Sequence, residues 1–134
     1  MFEIAFRENI ASFTNDVSIA DRYWKEIKDA YSSNGRHYHN LDHLDNLYKQ
    51  LLPVKEGVQD WPVILFSIGY HDIIYNPRKK DNEAKSAELA VERLRVIMID
   101  TDRVNNCKQQ ILATSGHLVA DNSDINYFTD ADLS

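Results

Sequence analysis

Trp61-Pro62-Val63-Ile64-Leu65-Phe66-Ser67-Ile68-Gly69-Tyr70-His71-Asp72-Ile73-Ile74-Tyr75 is the most apolar run of the sequence. Val63, Ile64, Leu65, Phe66, Ile68, Tyr70, Ile73 and Ile74 leave a helix over these residues without a polar face, so it is expected to be the buried central helix of a domain. Asn76-Pro77 ends it, because the residue before a proline is pushed out of the helical backbone region. Upstream, Leu41, Leu44, Leu47, Tyr48, Leu51 and Leu52 form an apolar stripe that Asn40 can cap and Pro53 ends. Before that, Ile19, Tyr23, Ile27, Ala30 and Tyr31 recur at helical spacing, and Ser32-Ser33-Asn34-Gly35 stops the helix. The N-terminal segment, about residues 1–18, is the least decided, with a candidate helix around Ile4 to Phe13.

Downstream, Asp81 or Asn82 starts a helix with Ala84, Ala87, Val91, Leu94 and Met98 on one face. Thr101 or Asp102 opens another, with Val104, Cys107, Ile111 and Leu118 inward, and Ser123 to Ser134 begins a last one. No segment alternates with period two, and 4 glycines and 3 prolines are too few for the turns of an all-β chain. The expected class is all-α. A length of 134 residues suits a single domain spanning residues 1–134.

Bulk properties narrow the function. Hydrophobic residues make up 43% and charged residues 27%, ordinary for a globular chain. The net charge is −6 and the basic residues are scattered, which argues against nucleic acid or an anionic membrane as the main partner. A phosphate-bearing substrate would need a local charge reversal, which a bound cation supplies. The lone cysteine, Cys107, excludes an intrachain disulfide and a Cys-based zinc site. The N-terminus lacks the basic flank and apolar core of a signal peptide, and no apolar run approaches the ~20 residues that cross a bilayer. The expected location is cytoplasmic.

The chemistry-bearing residues fall in three places. His71-Asp72 lies in the most apolar segment, where an unpaired carboxylate costs several kcal/mol and must find a partner. Imidazole nitrogen and carboxylate oxygen are both good ligands for ions such as Zn, Mn, Fe or Mg. On the dipeptide alone, a solvent-facing helix edge or a structural His–Asp pair is the favoured reading. Arg36-His37-Tyr38-His39-Asn40-Leu41-Asp42-His43 holds three of the 5 histidines. His43 flanks the Leu41/Leu44/Leu51 stripe and can point into a cleft between helices. Asp130-Ala131-Asp132-Leu133-Ser134 closes the sequence with an acidic pair, which in isolation reads as a solvated end.

Taken in order, a His, a His-Asp pair and a distant Asp in one helical domain resemble the H…HD…D signature of the HD superfamily. His39-Asn40-Leu41-Asp42-His43 is similar to the HNxxH segment of cyclic-nucleotide phosphodiesterases of that superfamily. Ala131-Asp132-Leu133-Ser134 is similar to their ADLS segment, and Leu112-Ala113-Thr114 through His117 loosely to their ATDMSKH stretch. The fullest likeness is to small bacterial proteins described as predicted metal-dependent HD phosphohydrolases. It rests on Arg36 to His43, Tyr70-His71-Asp72-Ile73-Ile74-Tyr75, Asp81-Asn82-Glu83 with Ser86-Ala87, Thr114 with His117, and Asp130 to Ser134. These segments stand in the same order and span most of the chain from Tyr23 onward.

The resemblance implies an HD-type helical bundle in which His43, His71, Asp72 and Asp132 ligate a divalent metal ion (Mn, Mg, Fe, Zn or Ni). It implies His39 as the proton donor to the leaving group. Glu83 is the carboxylate expected to hold or deprotonate the attacking water. Arg36 is a candidate for gripping a phosphate oxygen, and His117 for a substrate contact or a further metal ligand. Lys79 and Lys80 read as a solvated loop. The implied activity is hydrolysis of a small phosphate ester, with a nucleotide the commonest substrate of the superfamily. Oligomeric state stays open, a homo-oligomer included. Two other classes are carried beside it: a non-catalytic HD-fold ligand-binding module, and an HD-type di-iron oxygenase, for which only His117 and His37 remain as extra ligands. Proteins of this group continue past their DLS segment, whereas this sequence ends at Ser134. The likeness therefore implies a further helix on the core, and Asp132 is expected to be the most loosely held ligand.

Overall fold

A computed structural model describes residues 1–33, 36, 40–97, 100–116 and 120–133. The elements are α1 (Phe2–Ala11), α2 (Val17–Tyr31), α3 (Leu41–Leu51), a 3-10 helix (Leu52–Gly57), α4 (Trp61–Tyr70), α5 (Asn82–Ile97), α6 (Thr101–Ala113) and α7 (Ser123–Leu133). Among the described residues there is no strand, so the class is all-α. No described helix is long and apolar enough to cross a membrane.

α4 is the hub. Every residue from Val63 to Tyr70 is buried, and α1, α3, α5 and α6 pack around it. A helix apolar on all sides is stable only when enclosed in this way. Asp60 caps its N-terminus, accepting the Val63 N–H, and Pro62 sits in the first turn, where its missing N–H costs nothing. Gly69 lets two neighbours approach: a methyl placed there would stand 2.9 Å from Ile27 Cδ1 and 3.0 Å from a Phe6 ring carbon. Around that contact Phe6 packs against Trp24, Phe66 and Tyr70, with ring centroids 6.0, 6.0 and 6.2 Å away. The least decided segment thus supplies α1, whose Phe2, Phe6 and Ile10 are fully buried.

The ends of α3 and α4 differ from expectation. The stripe on α3 buries Leu44, Leu47 and Leu51, but Leu52 is 39% exposed. There Pro53 tightens the chain into the 3-10 turn instead of stopping it. α4 ends at Tyr70 instead of running to Tyr75, with His71 as its C-cap. The reason is tertiary. The Ile74 N–H donates to Ser86 Oγ of α5 at 3.0 Å, and Arg36 donates to the Asp72 and Ile73 carbonyls at 2.7 and 2.9 Å. These bonds replace the helical ladder, so the backbone polar groups stay satisfied while Ile73 remains buried outside a helix.

α7 packs on α3 and α6. Asn122 Oδ1 accepts the Asp124 and Ile125 N–H groups at its start. Asp124 is 4% exposed, and its carboxylate accepts the Gln59 and Asp60 N–H groups at 2.8 and 2.9 Å. That fork ties α7 to the entry of α4, and Arg103 of α6 closes it with two 2.8 Å bonds to Asp60. The far end of α7 is thereby aimed at the C-terminus of α4 and the start of α3.

Candidate metal centre

Three helices each deliver one side chain to this junction. His43 lies in the first turn of α3, where its N–H donates to Asn40 Oδ1 at 3.2 Å. Its neighbour Leu44 is in the core, which leaves His43 at the stripe's edge with a side chain 22% exposed. His71 at the end of α4 is 1% exposed, and its Nδ1 stands 2.8 Å from the Ile68 carbonyl oxygen. A carbonyl only accepts, so Nδ1 carries a hydrogen and Nε2 of the neutral ring presents its lone pair to the junction. Asp132 lies in the last turn of α7, four residues after the fully buried Phe128. The Phe128 ring meets the His71 ring nearly edge-on, centroids 5.6 Å apart. Residues i and i+4 share a helix face, so the packing that seats Phe128 also brings Asp132 to His71. Although close to the last residue, Asp132 has a side chain only 14% exposed.

The resulting distances are informative. His43 Nε2 lies 3.2 Å from Asp132 Oδ1 and 3.3 Å from His71 Nε2. His71 Nε2 lies 3.4 Å from Asp132 Oδ1 and 3.4 Å from Asp72 Oδ2. One ligand atom each from His43, His71 and Asp132 falls within a 4.8 Å span, and this trio can hold a metal ion. Charge-assisted N–H···O contacts normally close to about 2.7–2.9 Å. Ligands about 2.1 Å from a shared ion stand about 3.0–3.4 Å apart, the edge of an octahedron or tetrahedron. The observed spacings match the second pattern. Asp72 joins through His71 Nε2 and lies outside the compact trio.

Electrostatics point the same way. In their metal-binding states all four groups present acceptors, and two are anionic, so the junction needs protons or a cation at its centre. For Asp132, burial favours the neutral acid, but hydrogen bonds from His43 and His71 and their charges outweigh it and hold the carboxyl well below its usual range. For His71, burial opposes the imidazolium, yet the Asp132 hydrogen bond and the Asp72 and Asp132 charges outweigh it and raise its proton affinity.

The other anticipated residues are placed as follows. Arg36 is half-buried, with its guanidinium 5.0 Å from the Tyr31 ring centroid and 5.4 Å from that of Tyr75, and it donates to the Asp72 and Ile73 carbonyls. Glu83 is half-buried in the first turn of α5 and is not among the converging ligand atoms. His39 and His117, the anticipated proton donor and substrate contact, lie outside the described residues. Lys79 and Lys80 are exposed. Sequence reasoning gave Tyr31 only a core role and assigned none to Phe128 or Asp124; Ser86 entered only as part of a motif. The i, i+4 relation between Phe128 and Asp132 was the one available signal. Searches against protein-family models, curated proteins and solved structures return no match to this chain.

Proposed function

We propose that this chain is a divalent-metal-dependent phosphohydrolase of the HD type, acting on a small phosphate ester such as a nucleotide. The observation that carries the reading is the convergence of His43, His71 and Asp132, residues 89 positions apart at the extremes, with ligand spacings of 3.2–3.4 Å. The order of these residues along the chain supports it, as does the net charge of −6, which favours a cation as the source of local positive charge. Bound here, a divalent cation would acidify a water and offset charge on the phosphate oxygens.

The protein's own part is positioning and proton transfer. His43, His71 and Asp132 would hold the ion, with Asp72 beside His71 to complete the set. The Ile68 carbonyl fixes the His71 tautomer so that Nε2 is always the ligating atom. Burial of His71 behind Phe128 keeps bulk water from that side of the site. His39, as imidazolium, protonates the departing alkoxide.

The test is phosphate release from a panel of nucleoside mono-, di- and cyclic phosphates and aryl phosphates, with Mn, Mg, Fe, Zn or Ni added. The metal-loaded chain should hydrolyse at least one class. His39→Ala should keep the metal and lose about 10²–10⁴-fold in turnover. A chain that binds metal and nucleotide yet releases phosphate from no ester would be a binding module, and the hydrolase reading would be withdrawn.

A further inference from the structure

We infer that Tyr31 and Arg36 form a clamp on the backbone of Asp72, and that they act as positioning residues for the metal centre instead of as core and substrate contacts. The inference rests on the reading of the junction as a metal site.

Asp72 lies just past the end of α4, where the helical ladder no longer fixes the chain. Its N–H donates to the Tyr31 hydroxyl at 3.0 Å, and its carbonyl accepts from Arg36 Nη1 at 2.7 Å. The next carbonyl, of Ile73, accepts from Arg36 Nη2 at 2.9 Å, so the guanidinium spans two consecutive peptides with its rigid fork. Tyr31 is 1% exposed, and it also lies under the guanidinium, so the two side chains brace each other. One residue on, Ser86 Oγ holds Ile74 through its N–H at 3.0 Å and its carbonyl at 3.3 Å. Burial first, and the Asp72 charge second, push the Tyr31 phenol well above its ordinary value, so it stays an O–H at any working pH. Every peptide from 72 to 74 is therefore tied to a side chain from another part of the fold. A segment held this way fixes the direction in which the Asp72 side chain leaves the backbone, toward the junction where its carboxylate stands 3.4 Å from His71 Nε2. Partners that orient ligands in this indirect way typically change metal affinity about 10–100-fold when removed.

The experiment titrates Mn²⁺ into the metal-free full chain by calorimetry, well below the melting temperature, and measures exchange of the Asp72 amide by NMR. Tyr31→Phe keeps the ring and removes only the acceptor; Arg36→Met keeps the packing stem and removes the fork. Each should weaken Mn²⁺ binding about 10–100-fold, and Tyr31→Phe should also speed exchange of the Asp72 amide. Tyr23→Phe is the matched control, since it deletes a comparable 2.8 Å bond from a tyrosine hydroxyl to the Arg93 carbonyl away from the site. It should leave Mn²⁺ affinity within about twofold, the change expected when no ligand or ligand support is touched. If Arg36→Met does not fold, Tyr31→Phe decides alone. Unchanged affinity in Tyr31→Phe, or an equal loss in Tyr23→Phe, would overturn the clamp while leaving the metal centre standing. A wild-type chain that takes up no divalent ion would overturn both.

Discussion

Replacing Asp124 by alanine should destabilise the protein by about 3 kcal/mol, which is large for a residue remote from the candidate site. The carboxylate is 4% exposed and its two oxygens take one backbone N–H each, from Gln59 and Asp60. A hydrogen bond to a charged group contributes about 1.5–3 kcal/mol. Gln59 is exposed, so water can partly re-satisfy its N–H, and the lower figure applies to each bond. Two such bonds give the total. Asp124→Asn keeps one oxygen acceptor but turns an amide N–H₂ toward a donor, and should cost about 2 kcal/mol. For a domain of this size the alanine variant should melt about 10–15 °C lower. The assay is urea and thermal unfolding of the metal-free chain, followed by far-UV circular dichroism. A loss below about 1 kcal/mol in Asp124→Ala would mean that the fork does not hold α7, and the account of how Asp132 is aimed would fall with it.

Other outcomes follow from the same packing. Gly69→Ala sets a helix gain of about 1 kcal/mol against overpacking of about 1–3 kcal/mol. The ring of Phe6 cannot retreat from its aromatic neighbours, so a net loss of about 1 kcal/mol is expected in urea melts; equal or greater stability would contradict the close approach. Burial pushes the Cys107 thiol up to about 12, so alkylating reagents at about pH 8 should label it only after denaturation; rapid labelling of the native chain would place it elsewhere. In the metal-free chain the raised His71 value gives stability that is complete below its unfolded 6.5 and lost as pH rises through the folded value. The lowered Asp132 value gives stability that is present above its unfolded 3.8 and lost as pH falls through the folded value. Melting temperature in EDTA should therefore fall as pH rises above about 6.5, and His71→Gln should flatten that slope. An unchanged slope in the variant would remove His71 as its source.

Much of the architecture could be read from residue spacing, because burial follows periodicity. Ile19, Tyr23, Ile27 and Tyr31 on α2, and Leu44, Leu47 and Leu51 on α3, all point into the core. What failed was the end of α4. Ile73 and Ile74 continue an apolar run that reads as helix, whereas hydrogen bonds from residues 36 and 86 turn the chain there. Those partners are distant in sequence and carry no periodic signal. The same limit applies to the site. The order of His43, His71 and Asp132 suggested a shared ion, but neither the edge-on Phe128–His71 contact nor the Asp124 fork that brings Asp132 into place leaves a pattern along the chain. Arg36 was legible as a candidate for gripping a phosphate oxygen, but its donation to two backbone carbonyls leaves no signal along the sequence.

Metal affinity, measured by calorimetry and by elemental analysis of dialysed protein for the wild type beside His43→Ala, His71→Ala and Asp132→Ala, decides whether the junction is a metal centre. The wild type should retain a divalent ion. Each variant should lose more affinity than the roughly 10–100-fold typical of partners that only orient a ligand. Metal content unchanged in His71→Ala and Asp132→Ala would show that these side chains meet for another reason.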